Sequence, residues 1–256
     1  MTDWSPLTQE LAEWREATLA LPFWWRDDDA VSETPALHRL AEMTADVGMP
    51  VFVAVIPADA DASLARFVER TPHVSPLVHG WAHRNHASPG EKKAEFGSGR
   101  RLEERIGEAR SGRNRLQDLF GARLNPIFVP PWNRIGSDLL PHLPELGFTA
   151  LSAFAPRTRA QAAPGLAQIN THIDPIDWRG TRSLVAPERL IAQTVALLRN
   201  RRIGVADNSE PLGLLTHHLV HDAAIWSFCA ELAGRLMSGP AVPWHPVKRN
   251  TPDEPS

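Results

Sequence analysis

The chain has 256 residues, 43% of them apolar and 22% charged, with a formal net charge of −3. That length and balance suit one globular domain with a substantial core and exclude a fibrous or wholly disordered chain. No dense Lys/Arg stripe interleaves with aromatics, which excludes the electrostatic footprint of a nucleic-acid binder, and the single cysteine, Cys229, excludes a disulfide framework or a multi-cysteine zinc site.

The first 25 residues carry early acidic groups and no basic region followed by a continuous apolar run, so they do not read as a secretory signal. Nor does any stretch of about 20 apolar residues offer a membrane span. A cytoplasmic location, no membrane partner and a small substrate are therefore expected. The oligomeric state is open.

In chain order, Leu7 to Thr18 has a helical apolar rhythm and is expected, within residues 1–20, to pack as an N-terminal helix on the body that follows. Pro22 resets the chain before a strand at Phe23-Trp24-Trp25. A helix over Pro35 to Val47, ended by Gly48, leads to the Val-rich strand Val51 to Ile56, whose continuous apolar run suits a parallel strand covered on both faces. The alternation continues with helices at Ala62–Arg70, Leu102–Phe120, Ser137–Leu146, Pro187–Arg201 and Ala223–Met237. Strands are expected at Val74–His79, Pro126–Pro130, Thr149–Ala153, Ala167–Ile173 and Leu212–His217. This count predicts an α/β barrel of seven or eight units over residues 21–240. Ser88 to Arg101 reads as a long loop over one mouth, used as a lid, and residues 241–256 as a polar, Pro-rich tail.

Five groups of residues carry chemistry. Trp25-Arg26-Asp27-Asp28-Asp29 places three carboxylates after an apolar strand. Such crowding is tolerable if a cation binds or one carboxyl keeps its proton, and is equally the mark of an acidic turn capping a helix. His79-Gly80-Trp81-Ala82-His83 sets two imidazoles four apart, able to converge on one metal with an Asp and leave positions for water and substrate; surface or core histidines are the plainer reading. Phe128-Val129-Pro130-Pro131-Trp132-Asn133 stiffens a strand end and offers free backbone N–H groups to an oxyanion, or is a loop with a buried Trp. Asp174-Pro175-Ile176-Asp177-Trp178 supplies carboxylates, and Leu214-Leu215-Thr216-His217-His218, with His221-Asp222 beyond, supplies imidazoles for general acid chemistry. Strand alternation sends His217 and His218 to opposite sides, so one of them faces the site.

In this order the five groups resemble the polysaccharide deacetylase family, also called NodB-homology or carbohydrate esterase family 4, over most of the chain. The resemblance implies a distorted (β/α)7–8 barrel that removes an acyl group, acetyl first, from an amide nitrogen of a carbohydrate. The family's Thr-Phe-Asp-Asp-Gly, laid on residues 25–29, implies Asp27 as catalytic base and Asp28 as metal ligand, with a shift to Asp28 and Asp29 as the other register. His79 and His83 become the imidazole ligands of a divalent ion, zinc with cobalt or nickel as alternatives. Trp132 supplies the oxyanion donor, Asp177 orients the acid, and His217 is the acid, with His218 its alternative. Trp81, Pro131, Trp178 and His218 are expected to touch substrate. Two departures stand out: Gly80 replaces the usual hydroxyl residue, and Val129 stands where an arginine normally supports the base. Two other readings keep the barrel: a hydrolase of a small amide or cyclic imide, and a non-catalytic module that binds a metal or ligand.

Overall fold

The computed structural model describes residues 2–246. The elements follow in chain order: α1 (Ser5–Glu16), β1 (Leu21–Ala30), α2 (Pro35–Asp46), β2 (Val51–Val55), α3 (Ala62–Arg70), β3 (Val74–His79), α4 (Leu102–Phe120), β4 (Ile127–Val129), β5 (Ala150–Leu151), β6 (Gln161–Ala163), β7 (Leu166–Gln168), α5 (Pro187–Arg202), β8 (Leu212–Thr216), α6 (Ala223–Met237) and β9 (Ala241–Pro243). The sheet runs β6-β7-β5-β4-β3-β2-β1-β8, with β9 added beside β1. All pairings are parallel except the β6–β7 hairpin.

The sheet curls into a barrel because the chain after β7 bridges its ends. Thr171 pairs with Phe154, and Ile173 pairs with Leu214 of β8. The His172 N–H donates to Gly213 O at 2.8 Å and the Leu215 N–H to Ile173 O at 2.8 Å. A buried polar group fastens this closure: Glu210 accepts the Asn170 N–H at 3.0 Å and lies 3.2 Å from His172 Nε2, while the Gly213 N–H donates to His172 Nδ1.

Strand alternation divides the core in two. Trp24, Phe52, Ala54, Leu77, Ile127, Val129, Ala150 and Ile169 fill the barrel interior, with Trp244 against Trp24 and Phe52. Phe23, Trp25, Val51, Val53, Phe128, Leu212 and Leu214 point outward and meet the helices. Gly213 is required by this interior, since a Cβ there would come within 2.5 Å of Trp24 Nε1. Helix starts follow their caps: Thr34 and Asp61 accept N–H groups at the first turns of α2 and α3. α1 docks through Leu7, Leu11 and Trp14, each worth roughly 1.5–3 kcal/mol when fully buried, and Arg202 of α5 donates to both oxygens of Glu10.

The alternating plan and the barrel agree with the sequence, and four local features differ. β1 continues through the three carboxylates to Ala30 instead of ending before them. Ser137–Leu146 is a chain of turns with one 3₁₀ turn at Leu140–His142, because Pro141 and Pro144 lack the N–H groups an α-helix needs there. Residues 161–168 form a hairpin. Ala241–Pro243 is a strand rather than tail, and the remaining tail beyond residue 246 lies outside the described residues. Among the described residues no helix is long and apolar enough to cross a membrane.

Candidate active site

The three carboxylates of β1 go three ways. The β1–β2 register slips between Asp27 and Ala30, and Asp29 adopts a left-handed φ of 75°. Such a bulge re-aims side chains that simple alternation would send apart. Asp27 points outward and is buried: its Oδ1 lies 2.5 Å from His218 Nδ1, and its Oδ2 accepts from the Thr216 hydroxyl and the His218 N–H. Asp28 points inward, where Arg26, wholly buried, places Nε 2.9 Å from Oδ1 and donates from Nη2 to Oδ2 at 3.0 Å. Arg26 also donates to Ser152 Oγ and to Asn133 Oδ1, both at 2.7 Å. Asp29 turns to the mouth.

There its Oδ1 lies 3.1 Å from His79 Nε2 and 3.4 Å from His83 Nε2. One ligand atom from each of Asp29, His79 and His83 falls within 4.8 Å of the others. His79 Nδ1 donates to the Val129 carbonyl at 3.0 Å, which turns Nε2 toward the centre. Two imidazole nitrogens and one carboxylate oxygen are a donor set for a borderline divalent ion and leave positions for water and substrate, so the residues fit such a group. Burial opposes the charge of Asp29, but the surrounding imidazoles outweigh it and hold the carboxyl well below its ordinary range. Burial also opposes the charge of His79, and Asp29 with Asp28 outweighs it upward; burial and the nearby His79 push His83 down.

On the opposite side, His217 follows the last residue of β8 and turns inward, while His218 turns outward to Asp27. The Trp178 ring stands edge-on to the His217 ring, centroids 4.7 Å apart. Asp174 receives the Trp178 indole N–H at 2.8 Å and the Ile176 N–H at 3.0 Å. Burial raises its pKa, with His217 acting against that shift. Asp177 instead ties its own loop by accepting the Gly180 and Thr181 N–H groups. Asp222 caps α6 and accepts from Ser183, while His221 Nε2 accepts the His217 N–H at 3.3 Å.

The structure thus brings together Asp28, His79, His83, Trp132, His217 and Trp178. The Trp132 ring lies 4.3 Å from that of His83, its backbone left-handed at φ 55°. Pro131 is buried against Gly80, and Trp81 packs against the outer core. Asp27 and His218 face away from the mouth, Asp29 lies beside the imidazoles as in the shifted register, and Asp174, not Asp177, binds the Trp178 indole that faces His217. Sequence reasoning missed Arg26, although its i, i+2 spacing from Asp28 on one strand face was the signal.

No protein-family model matches this chain, and no curated protein sequence matches it. Solved structures do. A family 4 carbohydrate esterase from Streptomyces lividans in complex with acetate superposes with a TM-score of 0.56 at 13% identity, over 87% of this chain and 91% of that one. A Streptococcus mutans CE4 esterase gives 0.53 at 11% identity over 89% and 85%. A variant of the Bacillus subtilis peptidoglycan deacetylase PdaC gives 0.50 at 12% over 88% and 87%. The chain therefore has the fold of the family 4 carbohydrate esterases and deacetylases.

Proposed function

We propose that this chain is a metal-dependent hydrolase that removes an acyl group, acetyl first, from an amide nitrogen of a carbohydrate-type substrate. The observation that carries the reading is the convergence of Asp29, His79 and His83 within 4.8 Å, at the mouth where Asp28 and His217 also end. A divalent ion held by these three, zinc with cobalt or nickel as alternatives, would supply Lewis-acid polarisation of the acyl carbonyl and of water.

The chain's own residues do the rest. Asp28, oriented by Arg26, takes the proton of the attacking water. The Trp132 N–H donates to the oxygen that gains charge as the carbonyl carbon becomes tetrahedral. His217, held against the edge of Trp178, whose indole Asp174 binds, gives a proton to the leaving nitrogen as the C–N bond breaks, so that acid and free amine result. Trp178, 40% exposed, offers a ring to the sugar.

The test is elemental analysis of untagged, chelator-free protein beside a His79→Ala/His83→Ala double variant, with activity measured on N-acetylated sugar oligomers and on small amides. Near-stoichiometric metal lost in the double variant, with turnover of the sugars, supports the reading. Protein that stays metal-free after zinc, cobalt and nickel are added overturns it. Turnover of small amides alone moves the substrate to that class.

A further inference from the structure

Glu95 belongs to the 88–101 segment expected from sequence to be a lid, and it is 1% exposed. Its Oε1 accepts the backbone N–H groups of Ala82 at 2.8 Å and Arg84 at 3.2 Å, and its Oε2 accepts that of Trp81 at 3.1 Å. Among the described residues no Lys or Arg side chain lies within ion-pair distance of it. One buried carboxylate therefore takes three of the N–H groups in the turn that carries the chain from His79 through His83 to Arg84, and those donors converge as in an anion nest.

The same carboxylate accounts for Gly80. That residue has φ +58°, and a Cβ on it would come within 2.4 Å of Glu95 Oε2 and 2.5 Å of Pro131 Cδ. The space a side chain at position 80 would occupy is filled by Glu95 and Pro131 together. His83, at φ 52°, is held in a left-handed conformation that non-glycine residues rarely adopt. The segment bearing Glu95 is itself fastened: Phe96 is buried and bridges Ile135, the Gly136 N–H donates to Phe96 O at 2.8 Å, and Arg100 donates from Nη1 and Nη2 to the two carboxylate oxygens of Glu108.

We propose that Glu95 is a positioning residue for the metal centre, fixing the turn that delivers His83 beside His79 and Asp29, and that the 88–101 segment is its support rather than a lid. This inference rests on the metal-centre reading above. Glu95→Gln keeps the shape and the oxygen toward Ala82 and Arg84 but sets an NH₂ against the Trp81 N–H. Glu95 bonds the turn and not a ligand side chain, so its loss is expected to weaken metal binding by about tenfold, the lower end of what loss of a ligand's own hydrogen-bond partner costs.

The experiment measures zinc affinity by chelator competition, the visible spectrum of the cobalt-loaded protein, and amide exchange at Trp81, Ala82 and Arg84, in wild type and Glu95→Gln. Expected are a zinc affinity about tenfold weaker, an altered cobalt spectrum and faster exchange at those three amides. Zinc affinity within twofold of a zinc-binding wild type overturns the role of Glu95 and leaves the metal centre standing. A wild type that binds no zinc, cobalt or nickel overturns the centre itself, and the role of Glu95 with it. Should Glu95→Gln not fold, Gly80→Ala, whose methyl group enters the carboxylate's space, is expected to give the same loss of zinc affinity; unchanged affinity there overturns the proposal.

Discussion

Arg26 and Asp28, two residues apart on β1, lie side by side inside the barrel, with Nε 2.9 Å from Oδ1 and Nη2 3.0 Å from Oδ2. Val129, where the resemblance leads one to look for an arginine, packs its side chain in the interior and gives its carbonyl to His79. The guanidinium that orients Asp28 comes from its own strand, and Ser152 and Asn133 fix its far side.

Arg26→Lys keeps the charge but loses the planar fork that matches a carboxylate. Expected is a fall in kcat of about 10²-fold, within the range attributed to a positioned base, with KM for an N-acetylated sugar little changed. Steady-state kinetics check it; a KM-only effect contradicts the role.

The three carboxylates of β1 are separable. Asp29→Asn is expected to abolish zinc binding. Asp28→Asn is expected to retain zinc and lose about 10²–10⁴-fold in kcat. Asp27→Asn strips a buried pair from His218 and is expected to cost about 3–5 kcal/mol of stability while leaving metal content intact. Elemental analysis and denaturant melts on the three variants check the order.

Asp174 and Asp177 divide in the same way. Asp174→Asn is expected to shift the basic limb of the pH–rate profile and lower kcat about tenfold, as loss of a group beside the general acid would. Asp177→Asn frees two loop N–H groups, and its expected effect is on substrate KM, through Trp178, with the pH limb unmoved.

His221 gives a pH dependence of stability. Burial lowers its pKa to about 4; Asp27 opposes this shift, and His217 and His218 add to it. The unfolded chain, with an ordinary value near 6.5, takes up the proton first as pH falls. Its contribution is therefore complete above about pH 6.5 and is lost as pH falls toward about 4, on the order of 3 kcal/mol. Protonation also ends the acceptance of the His217 N–H at Nε2. Urea melts between these limits are expected to show a shallower acid loss in His221→Gln than in wild type.

Periodicity was enough to read the alternating strands and helices, since doubly covered strands such as Val51–Val55 and the capped helices after Thr34 and Asp61 write their pattern locally. Strand alternation set His217 and His218 on opposite sides, while spacing left the meeting of His79 with His83 as one of two readings; the turn that joins them runs through left-handed Gly80 and His83 instead of a helix. Tertiary structure decided the rest. A register slip of β1 against β2 with a left-handed Asp29 chose which carboxylate meets the imidazoles, and no local pattern announces a bulge within a run of three aspartates. Closure through Ile173 and Leu214, the strand at Ala241–Pro243, and Glu95 reaching back to the 81–84 turn all join segments distant in the chain or lacking periodicity. Local sequence sets which way a side chain alternates; which groups then meet depends on where the sheet curls, and that is a property of the packed whole.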